Sequence, residues 1–167
     1  MRLFFALWPP RETAGALGRW AAEVSQQSGG RVTGVENIHL TLAFLGEAEP
    51  AKALAAARGV SGRRHDLPID AARYVKKNEM VWVGPQTMPP ALGALAADLH
   101  AALRAAGLRL EERPFAAHVT LVRKARLPKS IPQLPRVAWP VDEFVLVRSR
   151  TSPKGSTYES IERFPLA

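Results

Sequence analysis

The sequence predicts an α+β protein assembled from two related halves. Segments with the alternation of β-strands are interspersed with segments whose apolar residues have helical spacing. The order strand, proline, long helix, glycine, His-x-Thr strand occurs once from residue 3 and again from residue 81. Two units alike in order and spacing indicate an internal duplication. No linker composition separates the halves, so we expect a single domain over residues 1–167.

The first half opens with a predicted strand over residues 2–8, which two prolines end. Residues 11–27 have apolar side chains at helical spacing, and a pair of glycines ends this helix. The next predicted strand lies within residues 37–47, "NIHLTLAFLGE". Because successive side chains of a strand point to opposite faces, one face carries His39 and Thr41. The other face is apolar and consists of Ile38, Leu40, Leu42 and Phe44.

The remaining elements follow from the same patterns. The connecting region is predicted to contain a helix over 50–58, a loop over 59–66, a strand over Leu67–Ala72 and a charged turn over 75–79. The second half contains a strand over 80–84, a helix over 90–106 that Gly107 stops, and a strand, "AAHVTLVRKA", with His118 and Thr120. A proline-rich connector over 128–136 leads to a final hairpin of residues 141–149 and 157–164.

The composition favours an acidic partner and limits the kinds of site. A formal net charge of +8 attracts nucleic acid or other phosphate-rich partners, although arginine-rich proteins that bind nothing acidic share it. The absence of cysteine excludes disulfides and thiolate metal sites. The N-terminal apolar run is too short for a signal peptide, and no segment reaches the roughly 20 apolar residues that span a bilayer. We therefore expect a cytoplasmic protein without a membrane partner.

Two His-x-Thr strands carry the strongest chemical signal. Residues i and i+2 of a strand share a face and lie about 6–7 Å apart, so His39 stands beside Thr41 and His118 beside Thr120. If a pseudo-twofold relates the halves, both pairs face one cleft. A neutral imidazole that takes a proton and an imidazolium that gives one suit in-line displacement at phosphorus. The threonine hydroxyls are suited to hold non-bridging phosphate oxygens.

Other interpretations of the histidines stay open at this point. A lone strand histidine is more often a surface or hydrogen-bonded residue, whereas two copies at matching places favour catalysis. Zinc is the competing chemistry, but no cysteine, no His-Glu-x-x-His pattern and no carboxylate at ligand spacing accompany the pair. We expect no metal and no cofactor. His65 in a polar loop and His100 on the second long helix are expected to be solvated or partly packed.

Three further residues are candidates for substrate contacts. Arg123 ends the strand "HVTLVR", and its planar guanidinium matches a phosphate. Strict alternation directs it away from the face of His118 unless the strand breaks near its end. Phe4 and Trp82 lie mid-strand at corresponding places of the two halves, where either could stack on a terminal base. Burial in the core is the alternative for both aromatics.

Five segments together resemble the bacterial and archaeal RNA 2′,3′-cyclic phosphodiesterases, or 2′–5′ RNA ligases, of the 2H phosphoesterase superfamily. They span nearly the whole chain and are "RLFFAL", "NIHLTLAFLGE", "VWVG", "RPFAAHVTLVR" and "EFVLVRSR" with a later "GSTYE". The resemblance implies a two-lobed pseudo-twofold α+β fold, with antiparallel sheets lining a central cleft and helices on the outside. It matches His39 and His118 to the catalytic histidines, Thr41 and Thr120 to the phosphate-binding hydroxyls, and Arg123 to an arginine that follows the second motif.

The same resemblance implies a function. It implies metal-independent opening of a terminal 2′,3′-cyclic phosphate of RNA to a 2′-phosphomonoester, with 2′–5′ ligation as the reverse reaction. Family analogy makes His39 the acid and His118 the base, and the pseudo-symmetry keeps the opposite assignment open. The implied partners are RNA ends with a cyclic phosphate, tRNA halves among them, and the expected state is a monomer. A non-catalytic RNA-binding module and a phosphodiesterase for a small cyclic nucleotide or ADP-ribose derivative are the alternatives.

Overall fold

Ten strands and three α-helices form the protein, and the computed structural model describes residues 1–167. The helices are α1 (Arg11–Ser28), α2 (Pro50–Arg58) and α3 (Pro90–Ala105), and a 3-10 turn covers Val35–Asn37. The strands are β1 (Arg2–Leu7), β2 (Arg31–Val32), β3 (Leu40–Glu47), β4 (His65–Asp66), β5 (Ala71–Val75), β6 (Met80–Gly84), β7 (Val119–Arg123), β8 (Pro140–Val141), β9 (Glu143–Ser152) and β10 (Gly155–Pro165).

Two four-stranded sheets carry the fold. One has the strand order β10-β9-β1-β3 and the other β2-β7-β6-β5, while β4 and β8 form a separate two-stranded ribbon. Every strand pair is antiparallel. The β1–β3 pair of the first half corresponds to the β6–β7 pair of the second, and a long helix lies between the two strands of each pair in the chain. The predicted α+β class with duplicated halves and antiparallel sheets is confirmed.

Each long helix packs against a strand of the opposite half. Helix α1 contacts β7 and β2, whereas α3 contacts β3. Amphipathic helices of this kind bury their apolar side against a sheet, and the resulting cluster of 32 buried hydrophobic residues includes members of both halves. The hydrophobic core is therefore continuous across the two halves. None of the helices combines the length and the apolar character that crossing a bilayer requires.

Most predicted elements lie within two residues of their observed bounds, and one is wrong. The strand predicted at Leu67–Ala72 is instead β5, which begins at Ala71 and ends at Val75. Leu67 and Ile69 are both buried, which gives the same alternation that strand residues show. Pro68 lies between them and has no N–H to donate, and residues 67–70 belong to no strand. The predicted loop over 59–66 also contains the two residues of β4.

The predicted alternation along the His39 strand holds as far as Leu42 and fails at Ala43. Strand β1 pairs Ala6 with Thr41 and Phe5 with Ala43, so the register passes over Leu42. This is a β-bulge, in which one extra residue shifts the phase of the side chains that follow. Leu42 and Ala43 are both buried, and Phe44 is 37% exposed. The assignment of Phe44 to the apolar face is therefore wrong.

Strand β7 has a bulge at the corresponding position. Strand β6 pairs Trp82 with Thr120 and Val81 with Val122, which passes over Leu121. In both strands the residue passed over is the third after the histidine. The bulge buries Leu121 and Val122 together and leaves Arg123 exposed. The bulge is the break in the strand that Arg123 needs in order to face the same way as Thr120.

Candidate active site

The two His-x-Thr segments face one cleft between the two sheets. The cleft has a volume of about 910 Å³, and strands of both sheets contribute to its walls. The structure brings together in these walls all five residues predicted for catalysis and phosphate binding, namely His39, Thr41, His118, Thr120 and Arg123. Each histidine lies immediately before the first paired residue of its strand, β3 or β7. The cleft arises because two strand ends with the same motif meet across the pseudo-symmetric fold.

Both imidazoles are held by the same backbone contact. His39 Nδ1 lies 2.6 Å from the carbonyl oxygen of Asn37, and His118 Nδ1 lies 2.9 Å from that of Ala116. A carbonyl oxygen only accepts hydrogen bonds, so Nδ1 carries the proton in each neutral ring. Nε2 is then the atom that gains and loses a proton. In the first half this Nε2 lies 3.1 Å from Thr41 Oγ1, which fixes the direction of both groups.

The cleft keeps its histidines neutral. The pKa of His39 is lowered from 6.5 to about 4, chiefly by burial; the hydrogen bond to Asn37 opposes this shift, and the charges of Arg123 and His118 add to it. Burial also lowers the pKa of His118, with additional effects from Arg113 and Arg123. Removing an imidazolium from water disfavours its charged form, and a nearby cation adds to the effect. In the unliganded protein His39 is therefore a neutral base at pH 7.

Arg123 is the cation best placed for an anionic ligand. It lines the cleft and has no partner among the ion pairs of the protein. Its nearest polar contact is weak, with Nη1 lying 4.0 Å from the sulfur of Met80. Its guanidinium keeps its donors available, and a phosphate accepts two of them side by side. Arg31, Arg113 and Lys154 add positive charge to the same walls, which also contain Glu36 and Glu111.

A tryptophan stacks on each histidine. Trp8 lies 4.8 Å from His39 at an interplanar angle of 14°, and Trp82 lies 3.9 Å from His118 at 17°. The two tryptophans come from different register positions. Trp82 is paired with Thr120 and thus corresponds to Ala6, which is paired with Thr41. The sequence did not indicate Trp8, because its place beside His39 depends on the antiparallel register of β1 and β3.

Phe4 is part of the core. It is 4% exposed and clusters with Ala6, Val145 and Val147. Its ring centroid lies 5.1 Å from that of His39, and its burial leaves no free face for a base. Phe4 is therefore a core residue, the alternative to stacking on a base, whereas Trp82 lines the cleft. A further ring missed by sequence reasoning, that of Tyr158, meets His39 edge-on at 5.4 Å.

Phe44 is the aromatic side chain that the sequence assigned to the wrong face. It is the fifth residue after His39, as Arg123 is the fifth after His118, and matching bulges direct both into the cleft walls. The guanidinium of Arg2 lies 5.0 Å from the centre of its ring. A partly exposed aromatic ring at a cleft wall is suited to stack on a base. The signal that could have identified it is the repeat itself, because "HLTLAF" aligns with "HVTLVR".

No three His, Cys, Asp or Glu side chains come together as a metal ion would require. Each candidate histidine instead uses one ring nitrogen to donate to a backbone carbonyl. His65 lies outside the cleft, where its Nδ1 donates to the carbonyl of Arg63. The groups present therefore suit proton transfer and anion binding.

Comparisons with known proteins agree with this geometry. The family model described as LigT like phosphoesterase matches twice, over residues 7–82 and 83–158. The RNA 2′,3′-cyclic phosphodiesterase of Escherichia coli (strain K12) is 35% identical, over 99% of this chain and 96% of that protein. The protein of the same name from Thermus thermophilus is 33% identical, over 99% and 90% of the two chains.

Solved structures give the same result. The crystal structure of E. coli LigT complexed with 3′-AMP superposes with a TM-score of 0.91 at 31% identity and covers 99% of this chain and 97% of that one. A crystal structure described as a phosphoesterase superposes with a TM-score of 0.90 at 32% identity, with 99% and 97% coverage. The double match of the family model also places the boundary between the halves near β6. The chain belongs to the LigT-like phosphoesterase family of the 2H superfamily.

Proposed function

We propose that the protein opens the terminal 2′,3′-cyclic phosphate of RNA to a 2′-phosphomonoester, without a metal ion, by acid–base catalysis with His39 and His118. One observation carries the proposal: both histidines lie in one cleft, and each uses its Nδ1–H to donate a hydrogen bond to a backbone carbonyl, so that Nε2 is available for proton transfer. Paired imidazoles of this kind suit hydrolysis at phosphorus. Simple capture of RNA would be served better by lysine or arginine at these positions.

The remaining cleft groups have roles in the same reaction. Thr41 and Thr120 donate hydroxyl hydrogens to the non-bridging phosphate oxygens, and Arg123 balances their negative charge. One histidine takes a proton from the attacking water as the new P–O bond forms. The other gives a proton to the 3′ oxygen as its bond to phosphorus breaks. The product carries the phosphate on the 2′ oxygen and a free 3′ hydroxyl.

The acid and base roles follow family analogy, with His39 as the acid and His118 as the base. An acid must be protonated before the 3′ oxygen leaves, whereas burial keeps the pKa of His39 at about 4 in the unliganded protein. A bound phosphodiester anion raises the pKa of a neighbouring imidazole, because opposite charges favour the ionised form. His39 can therefore act as the acid once the substrate is bound. A pH–rate profile tests the required rise in pKa, since the basic limb of kcat reports the acid in the enzyme–substrate complex and the basic limb of kcat/KM reports the acid in the free enzyme.

The proposed substrate is an RNA end, for two reasons. The relatives from E. coli and T. thermophilus are named RNA 2′,3′-cyclic phosphodiesterases, and the cleft walls contain the unpaired Arg123 together with the exposed ring of Phe44. A second candidate is a cyclic mononucleotide, because the superposed E. coli structure holds 3′-AMP. The ratio of kcat/KM for an oligonucleotide with a terminal cyclic phosphate to kcat/KM for adenosine 2′,3′-cyclic monophosphate distinguishes the two substrates. A ratio well above 1 supports RNA.

The direct test is an oligonucleotide that ends in a 2′,3′-cyclic phosphate, incubated with the protein in EDTA. We expect a 2′-phosphomonoester, and His39→Ala and His118→Ala should each lower turnover by orders of magnitude while remaining folded. His65→Ala, which removes a histidine outside the cleft, is the matched control and should keep full activity. A 3′-phosphate would retain the reaction class and change the leaving group. Salt-dependent RNA binding without any product would favour the binding module.

The finer expectations belong to the same proposal. A single domain over residues 1–167 is supported by the hydrophobic core that both halves share. A cytoplasmic monomer that acts on tRNA halves is consistent with the absence of cysteine and with the net charge of +8. Sedimentation of the purified protein tests the monomer. Sequencing of RNA ends that accumulate in cells without the gene tests the substrate.

A further inference from the structure

The bulge in β3 exposes a backbone carbonyl that a histidine side chain binds. The Nε2 atom of His100, on helix α3, lies 2.7 Å from the carbonyl oxygen of Leu42, the residue that the β1 register passes over. Because a carbonyl oxygen only accepts, Nε2 carries the proton and donates it. An unpaired buried carbonyl is costly, so this donor stabilises the bulged backbone.

The second half satisfies its own bulge with backbone. There the residue passed over is Leu121, and its carbonyl accepts a hydrogen bond of 2.9 Å from the N–H of Thr33. Thr33 directly follows β2, which covers the outer edge of β7. Strand β3 is instead the last strand of its sheet. Helix α3 lies along β3, and the imidazole of His100 provides the donor that a neighbouring strand provides in the other half.

His100 also contacts the second motif. Its ring meets Phe115 edge-on, with centroids 6.2 Å apart at 85°. Phe115 lies three residues before His118, and both aromatic rings line the cleft. The edge contact restricts rotation of the imidazole and so keeps Nε2 directed at Leu42. A single side chain therefore joins the bulge of the first motif to the segment that leads into the second.

We propose that His100 is a positioning residue of this site, which holds the Leu42 bulge and thereby sets the directions of Thr41 and Phe44. The expected effect on kcat rests on the proposed function, whereas the expected effect on the structure of the site rests on the fold alone. Thr41 directly precedes the bulge and is held at its edge, and Phe44 follows the bulge and lines the cleft because of the phase shift. His39 Nε2 shares a hydrogen bond with Thr41, so a relaxed bulge also frees the imidazole.

A matched pair of substitutions tests the hydrogen bond. Glutamine and methionine have similar length and shape, but only the amide of glutamine can donate to the Leu42 carbonyl. With a cyclic-phosphate oligonucleotide we expect His100→Met to lower kcat by about 10- to 100-fold with KM within about twofold, because small misplacements of reacting groups are costly. His100→Gln should recover most of kcat. Urea unfolding at pH 7 verifies that both variants are folded.

The imidazole resonances of His39 give a readout that needs no activity. In His100→Met the pKa of His39 should rise from about 4 towards its ordinary value, because the loosened strand admits water, and His100→Gln should return it. An unchanged pKa of His39 in His100→Met overturns the proposal, as does a kcat of His100→Met equal to that of the wild type. If the wild type is inactive on every cyclic phosphate, the proposed function fails and the titration alone decides the role of His100.

Discussion

Acidification should destabilise the protein because His39 is buried in its neutral form. The perturbation is a fall in pH from 7.5 to 4, applied to the wild type and to His39→Gln. Burial holds the pKa of His39 at about 4 in the folded protein, against 6.5 for an ordinary histidine. Between these two values the unfolded chain binds more protons than the native state. The contribution of neutral His39 to the free energy of unfolding is therefore fully present above about pH 6.5 and is lost as the pH falls towards 4.

The size of the effect follows from the two pKa values. Protonation of the unfolded chain lowers the free energy of unfolding of the wild type by about 2 kcal/mol at pH 5 and about 3 kcal/mol at pH 4, since one pKa unit corresponds to about 1.4 kcal/mol. His39→Gln has no titrating group at this position and should lack this part of the decline. Other acid-sensitive groups act in both proteins and cancel in the difference.

The assay is urea unfolding of both proteins at half-unit pH steps, followed by tryptophan fluorescence. The difference in free energy of unfolding between wild type and variant should shift by about 3 kcal/mol across the range, in favour of the variant at low pH. Titration of the His39 imidazole by NMR gives its native pKa independently. Parallel stability profiles from pH 7.5 to 4 would refute the inference that His39 is held neutral by burial.

Two further outcomes follow from the cleft walls, and a third follows from the close packing of β6. Arg123→Met should lower kcat/KM by about 10- to 100-fold, because a charge-assisted hydrogen bond to phosphate is lost, and should raise the pKa of His39. Lys77→Met, in an exposed turn, is the control. A kcat/KM of Arg123→Met equal to that of the wild type would contradict the role of Arg123. Phe44→Ala should raise KM for an oligonucleotide about 10-fold with kcat nearly unchanged, if its ring stacks on a base; an unaltered KM would contradict stacking. In Gly84→Ala the new Cβ would lie 2.7 Å from the backbone oxygen of Ala117, so we expect a loss of stability of about 1–3 kcal/mol, measured by urea unfolding.

Sequence patterns located the helices and strands that carry the site. The two long helices and the strand β6 were predicted within one residue of their observed bounds, because apolar periodicity and terminal prolines and glycines are local signals. Leu67–Ala72 failed for an equally local reason, since Leu67 and Ile69 are buried beside a proline that cannot join a ladder. Burial and strand pairing produce the same alternation, and only pairing partners distinguish them.

Residues around the histidines were harder to predict where their placement depends on register. Alternation alone directs Arg123 away from the cleft and Phe44 into the core, whereas a bulge in each strand reverses both. A bulge leaves no mark in the apolar pattern of a single strand, because the extra residue is itself apolar. Trp8 directly follows β1, and Tyr158 lies on β10 at the far edge of the same sheet. Both reach His39 from positions distant in sequence, so no spacing rule indicates them.

One source of the asymmetry that a directional reaction needs is a pair of equivalent positions. Both strands bulge at the third residue after the histidine, which directs the fifth residue into the cleft wall. In one half that residue is Phe44 and in the other it is Arg123. An aromatic ring favours the base and a guanidinium favours the phosphate, so we expect a terminal nucleotide to have one preferred orientation between them. A second arginine in place of Phe44 would bind phosphate at both ends and lower the pKa of His39 further. The duplicated scaffold gives two similar histidines, and we expect the difference between Phe44 and Arg123 to determine which oxygen of the substrate each of them meets.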